Sequence, residues 1–216
     1  MPYKFDNNAP TTKLGELLAN SITHGVGVAL SIAGLVVLIV RAVRRGTGWH
    51  LAGFLVFGIS LIVLYLASTL YHAMADKPWK AVLQRLDHSA IFILIAGTYT
   101  PFLLTAVRGW LGWTLFGLVW GLTLTMLVLK LVLVEGFERP PVWLYLAMGW
   151  LGVFVFMGGM DAIRPVSLIL LLAGGAVYSL GVVFYRWRAL PYSHAVWHLF
   201  VLGGSALHYF SVLYLA

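Results

Sequence analysis

The chain has seven histidines, seven acidic residues and no cysteine. Imidazole and carboxylate are therefore its strong candidates for holding a metal ion. His194 and His198 stand four residues apart in His194-Ala-Val-Trp-His198. On a helix that spacing puts both imidazoles on one face, with Cβ atoms about 5–6 Å apart, close enough to share an ion. Metalloproteases of the H-E-x-x-H type use the same spacing, but the glutamate between the histidines is absent here, so the pair alone is a weak signal. The other candidates are His72 in Ser68-Thr69-Leu70-Tyr71-His72, Asp87 in Leu86-Asp87-His88-Ser89, and the stripe Glu16, Asn20, His24. Brought together, His72, His194 and His198 would supply the three protein ligands of a catalytic zinc site with a water in the fourth position. Asp87 would accept a hydrogen bond from that water, activated for attack on an ester or amide carbonyl. Ser68, one turn from His72 on the same face, would hydrogen-bond the water or a substrate.

The elements that must position these residues are membrane spans. The chain is 61% hydrophobic and only 10% charged, against about 25% charged in soluble domains. Apolar stretches long enough to cross about 30 Å of hydrocarbon recur along it. Seven spans are expected, near residues 17–40, 49–71, 89–107, 110–129, 142–160, 166–184 and 195–215. The expectation is thus an all-α integral membrane protein, one seven-helix bundle over 1–216, with a short polar segment (1–15) at the start and no cleavable signal peptide. Pro101 should kink the third span. Gly25, Gly27, Gly34, Gly117, Gly121, Gly174 and Gly175 suit close helix packing.

Lys and Arg set the orientation. Nine lie in the N-terminal segment and the second, fourth and sixth connections (Lys4, Lys13, Lys77, Lys80, Arg85, Lys130, Arg139, Arg186, Arg188). Five lie on the opposite side (Arg41, Arg44, Arg45, Arg108, Arg164). The N-terminus is expected inside and the C-terminus outside, in the cell inner (plasma) membrane. The net charge of +7 is then the usual cytoplasmic excess of basic residues and implies no nucleic acid. Alternation of the spans brings His72, Asp87, His194, His198 and the Glu16 stripe to one leaflet. Ionisable groups in spans are costly and face a bundle interior or cavity, where they carry function. His208 lies ten residues past His198, about 15 Å deeper, so it cannot share their ion. Bundle packing, cavity lining or a proton path are open to it.

Each candidate also has a purely structural explanation. Span-end histidines sit at the interface, Asp87 can pair with Arg85 or Lys80, and Ser68 can bond its own helix carbonyl. The Glu16–Asn20–His24 stripe can glue helices or orient metal ligands, and Lys130 can snorkel to the inner surface. Haem ligation by His24 and His208 is a further class. A retinal Schiff base is disfavoured, since the seventh span has no lysine.

The set of motifs nevertheless resembles one family. Asn20-Ser21-Ile22-Thr23-His24, Ser68-x3-His72, Asp87-His88-Ser89, Gly97-Thr98-Tyr99-Thr100-Pro101 and His194-x3-His198 through His208 are together similar to bacterial hemolysin III-type members of the progestin and adipoQ receptor superfamily. The resemblance covers spans one, two, three and seven. It implies an N-terminus inside and an intramembrane zinc held by His72, His194 and His198, with Asp87 reaching it through water. It also implies lipid amide or ester hydrolysis of the ceramidase kind in membrane-lipid homeostasis. The alternative is a membrane sensor or hemolysin-type pore with structural zinc. Ser68, Asn20, Glu16 and His24 are then supporting or substrate-contacting residues, and His208 and Tyr99 line a cavity. Membrane lipids are the expected partners. The sequence departs from the receptors in lacking a long N-terminal domain and in placing Glu16 four residues, not three, before Asn20.

Overall fold

In lipid every backbone N–H and C=O must be satisfied within the protein, and for apolar runs as long as these that leaves the helix. The computed structural model describes residues 14–74, 78–130, 142–187 and 189–216, and among these the regular structure is helical. The polar segment 1–13 and the charges Lys77, Arg139 and Arg188 lie outside the described residues.

The helices are α1 (Leu14–Arg45), α2 (Gly48–Ala73), α3 (Lys80–Thr105), α4 (Trp110–Val128), α5 (Val142–Trp150), α6 (Gly152–Gly159), α7 (Pro165–Arg186) and α8 (Ser193–Leu213). With α5 and α6 counted as one span, seven are long and apolar enough to cross a membrane. Three boundaries differ from the expected ones. α1 runs past its apolar window at both ends. α3 begins nine residues before Ser89, so Asp87 lies two turns inside the helix rather than at its start. The polar stretch Lys80–Asp87 is helical without being apolar, which hydropathy cannot register. The fifth span is broken at Leu151, between α5 and α6. The Tyr99 hydroxyl donates to the Met148 carbonyl (3.0 Å) and contacts that of Gly149, serving carbonyls at the break.

Burial runs inside-out relative to a soluble protein. On α1, Leu18, Ile22, Val26 and Leu30 are exposed, whereas Asn20, His24 and Ser31 are buried. The apolar stripe thus faces lipid and the polar one faces the bundle. On α2 the buried positions Phe54, Phe57, Leu61, Leu64, Ser68 and His72 recur at helical spacing, so one stripe carries both packing and chemistry. Trp79, Trp110, Trp143 and Trp187 flank span ends and are exposed, as interface anchors are.

The spans form a ring. α1 packs on α2, α2 on α3, α3 on α5 and α6, these on α7, α7 on α8, and α8 back on α1. α4 lies outside, against α3, held by Thr123 Oγ1 on the Phe92 carbonyl (3.2 Å) and Trp120 Nε1 on Thr100 Oγ1 (3.1 Å). Ser167 and Ser211 exchange hydroxyl-to-carbonyl bonds of 2.7 and 2.6 Å between α7 and α8. Pro101 sits within an unbroken α3. There Gly53 of α2 packs so closely that a Cβ would lie 2.6 Å from the Pro101 Cα. Gly27, Gly34 and Gly174 likewise face rings of neighbouring helices, whereas Gly117, Gly121 and Gly175 face open space and play no such part.

Candidate metal centre

Two helices supply the donors. α8 presents His194 and His198 from successive turns, and α2 brings His72 across the bundle. One donor nitrogen from each of His72, His194 and His198 lies within 4.8 Å of the others, a group able to hold a metal ion. Their ring centroids are 4.6 Å (His194–His198), 4.9 Å (His72–His194) and 5.1 Å (His72–His198) apart.

The donor set fits a metal on a second ground, the tautomer of His198. Its Nδ1 lies 3.2 Å from the Asn20 backbone carbonyl and 3.1 Å from Thr23 Oγ1. The carbonyl can only accept. The Thr23 hydroxyl already donates to the Ala19 and Asn20 carbonyls, 2.8 and 3.0 Å away. Nδ1 must therefore carry the proton, which leaves the Nε2 lone pair for a metal. His72 Nε2 is buried without a hydrogen-bond partner, as a nitrogen meant for an ion would be.

The remaining residues take defined places around this group. His24 stacks on His198, with centroids 3.5 Å apart and planes 12° from parallel. Asn20 is buried and supplies the carbonyl that orients His198, while its own Oδ1 has no partner. Glu16 is half-buried at the end of the stripe and accepts the Tyr192 N–H at 3.3 Å. Asp87 is buried and hydrogen-bonded by Ser68. His88 is not in the metal group; the Tyr145 hydroxyl donates to its carbonyl at 3.2 Å. His208 is buried on α8, outside the metal group, with Nε2 3.0 Å from the Leu171 carbonyl.

Two cavities meet at the histidines. One, of about 190 Å³, lies inside the ring behind a mostly apolar wall that includes Leu64, Ile95, Leu171 and Val201. His24, Ser68, Asp87, Tyr99, His198 and His208 also line it. The other, of about 700 Å³, is a polar vestibule lined by Glu16, Asn20, His72, Lys80, Gln84 and Arg186, among others. His194 lines both. The donor group is thus the septum between an apolar chamber and a polar one.

Two contributors escape a reading of the sequence. Lys130 does not snorkel to the surface. It is 3% exposed and acts electrostatically on Asp87. Asp87 accordingly finds its partners inside the bundle rather than in a surface pair. Thr23 meets His198 across the α1–α8 interface. Its place one residue before His24 in a polar stretch of an apolar span was the available signal.

Residues 14–209 match the family described as haemolysin-III related. The chain is 47% identical over 199 residues to the hemolysin-3 homolog of Bacillus subtilis, covering 92% of this chain and 93% of that one. It is 45% identical over 199 residues to hemolysin-3 of Bacillus cereus, covering 92% and 91%. A more distant relative is the human monocyte to macrophage differentiation factor, 27% identical over 209 residues and covering 91% and 83%. No solved structure matches the chain. The seven apolar helices and the bacterial relatives make this a multi-pass protein of the plasma membrane. With the match running from α1 into the last turns of α8, the chain belongs to the haemolysin-III-related family.

Proposed function

We propose that the protein is a zinc-dependent hydrolase of a lipid amide or ester, acting at the inner leaflet in membrane-lipid homeostasis. The observation that carries this reading is the three-histidine donor set at the junction of the apolar and polar chambers. A lipid's reactive carbonyl lies where its acyl chain ends and its head begins, so one molecule can fill both chambers with that carbonyl at the septum.

Zinc, when bound, supplies Lewis acidity for activating water against a carbonyl. The chain's own residues do the rest. His72, His194 and His198 hold the ion, and the Asn20 carbonyl fixes His198 in the tautomer that can. Asp87, buried and oriented by Ser68, takes up the proton released as water attacks and returns it to the leaving amine or alcohol. The apolar chamber holds the acyl chain and keeps bulk water from the reacting carbonyl. Each turnover adds one water across the acyl bond and yields a fatty acid and the freed head.

The test is elemental analysis of detergent-purified protein beside hydrolysis of labelled ceramide and acyl-lipid substrates. About one zinc per chain, with zinc and turnover both lost in His72→Ala, is the expected result. Turnover unchanged in His72→Ala would sink the proposal. The name hemolysin-3 borne by the Bacillus cereus relative favours a second reading, a pore or sensor in which the metal only braces helices. Its mark would be zinc without turnover, with permeabilisation of liposomes that survives loss of the histidines.

A further inference from the structure

We infer that the far end of the apolar chamber is a hydroxyl-recognising site built on His208, and that it selects an acyl chain of about twelve carbons with a hydroxyl at its end. The inference rests on the hydrolase reading above for the position of the scissile carbonyl, and adds the chemistry of the chain.

The chamber is a channel with a closed end. Its wall runs on α3 from Asp87 to Tyr99, on α7 from Tyr185 to Leu171 and on α8 from His194 to His208. At about 1.5 Å per residue these stretches rise roughly 18 to 21 Å, so three helices agree on one depth. A cavity of about 190 Å³ drawn out to that length is narrow. One turn farther from the metal donors, Ser167 and Ser211 are fully buried and exchange their hydroxyl-to-carbonyl bonds, which seals α7 to α8 beyond His208.

An imidazole stands at that end with one nitrogen left to offer. His208 Nε2 is 3.0 Å from the Leu171 carbonyl. A carbonyl only accepts, so Nε2 carries the proton and the neutral ring keeps its lone pair on Nδ1. The Nε2–Cδ2 edge is the one turned to α7, since a Cβ on Gly174 would lie 2.2 Å from Cδ2 and 2.4 Å from Nε2. Nδ1 is the ring vertex opposite that edge and points away from α7. Among the described residues it has no hydrogen-bond partner. Unlike both nitrogens of His24, it is not sealed within the protein: His208 keeps 9% of its surface and forms part of the chamber wall. The hydroxyls that share this end of the wall are already spent. Thr98 donates to the Leu94 carbonyl, Tyr99 to that of Met148, and Tyr178 is paired with Ser205. An acceptor left unpaired in an apolar wall is unfavourable. A plain hydrocarbon chain leaves it so, whereas a hydroxyl on the chain supplies the donor.

The depth of His208 sets where that hydroxyl must be. The scissile carbonyl sits at the metal donors, and rings on one helix are displaced from their Cα atoms in the same direction. The roughly 15 Å of rise from His198 to His208 is therefore also the length the chain must cover. With C–C bonds of about 1.52 Å, an extended chain advances about 1.3 Å per carbon and covers it in about twelve carbons. Because the channel is closed just beyond, the hydroxyl belongs at the end of the chain.

The experiment measures binding of free fatty acids and hydrolysis of the matching ethanolamides separately, on the full-length, zinc-loaded protein in nanodiscs of neutral lipid. The probes are ω-hydroxylauric acid, its isomer with the hydroxyl on the sixth carbon, and ω-hydroxypalmitic acid, four carbons longer. The isomer carries the same hydroxyl and loses the same hydration, so the comparison reads position alone. ω-Hydroxylauric acid is expected to bind about tenfold tighter than the isomer, equivalent to about 1.4 kcal/mol, and about tenfold tighter than the longer chain. In His208→Gln, whose amide can still donate to the Leu171 carbonyl but which has no acceptor in the place of Nδ1, the lead over the isomer should fall to about one. His208→Phe, a ring without either nitrogen, should abolish that lead as well. Zinc content at the wild-type level certifies the fold of each variant.

Equal binding of the two isomers overturns the inference. So does a lead that survives both His208 variants, because His208 would then serve only to tie α8 to Leu171. Equal binding of the longer chain would overturn the closed end and with it the placing of the hydroxyl. Selective binding of the free acids without release of ethanolamine from any amide would refute the hydrolase reading and leave the hydroxyl site standing. Hydrolysis of all the amides at one rate, with no selectivity in binding, would do the reverse.

Discussion

His24 lies face to face with His198, ring centroids 3.5 Å apart, and neither nitrogen of His24 has a hydrogen-bond partner. His24 therefore supports the metal ligand by shape, pressing on one face of the ring while Asn20 and Thr23 hold its edge. Replacing it with a ring of similar size should leave metal affinity within a few-fold of wild type, whereas His24→Ala should weaken it by about tenfold, at the low end of what loss of a ligand's support costs. Competition with a chromogenic chelator measures both. Equal affinities for His24→Phe and His24→Ala would show that the stack does not support the ligand.

Because the donors come from α2 and α8, a bound ion ties two helices together. Ligand binding to the folded state alone stabilises by about 2.7 kcal/mol at a hundred times the Kd. Chelation should therefore lower the thermal midpoint in detergent, and zinc should restore it. His72→Ala, which leaves only the α8 pair, should show almost no response to zinc. A wild-type midpoint indifferent to chelation would argue against a resident ion.

Asp87 of α3 and Lys130, just after α4, are both buried, and Lys130 acts electrostatically on Asp87. Removing either one leaves the other buried with less compensation. Lys130→Met and Asp87→Asn should each lower the thermal midpoint, and the double variant should recover part of the loss. Asp87→Asn should also retain zinc while losing roughly a hundredfold in turnover, the scale of general acid–base assistance. A double variant whose losses simply add would show that the two groups do not interact.

Two glycines should resist substitution for different reasons. At Gly53 a Cβ would lie 2.6 Å from the Pro101 Cα, and backbone has nowhere to move. At Gly174 it would lie 2.2 Å from His208 Cδ2 and 3.1 Å from the Gly204 carbonyl, so the His208 ring would be driven from its bond to Leu171. Overpacking of this kind costs about 1–3 kcal/mol. Gly53→Ala and Gly174→Ala should lower the thermal midpoint, whereas Gly117→Ala and Gly121→Ala, with nothing within 4 Å, should not. A Gly53→Ala midpoint equal to wild type would contradict the tight α2–α3 contact.

The sequence by itself determined the membrane class, the number of spans and the proximity of His194 to His198. The physical reason is that an apolar run of about 20 residues can satisfy its backbone in lipid only as a helix, so apolar length and i, i+4 spacing translate directly into structure. Alternation of spans also put His72 on the same leaflet as the α8 pair. What only the tertiary structure decided are relations between helices: His72 meeting His194 and His198, His24 stacked on His198, and the Asn20 carbonyl choosing that ring's tautomer. These depend on how each helix is rotated about its axis, and lipid-facing apolar residues resemble packed ones too closely for hydropathy to say which way a span turns. Lys130 shows the same limit from the other side: a lysine near a span end reads as a surface charge until the bundle is seen to close over it.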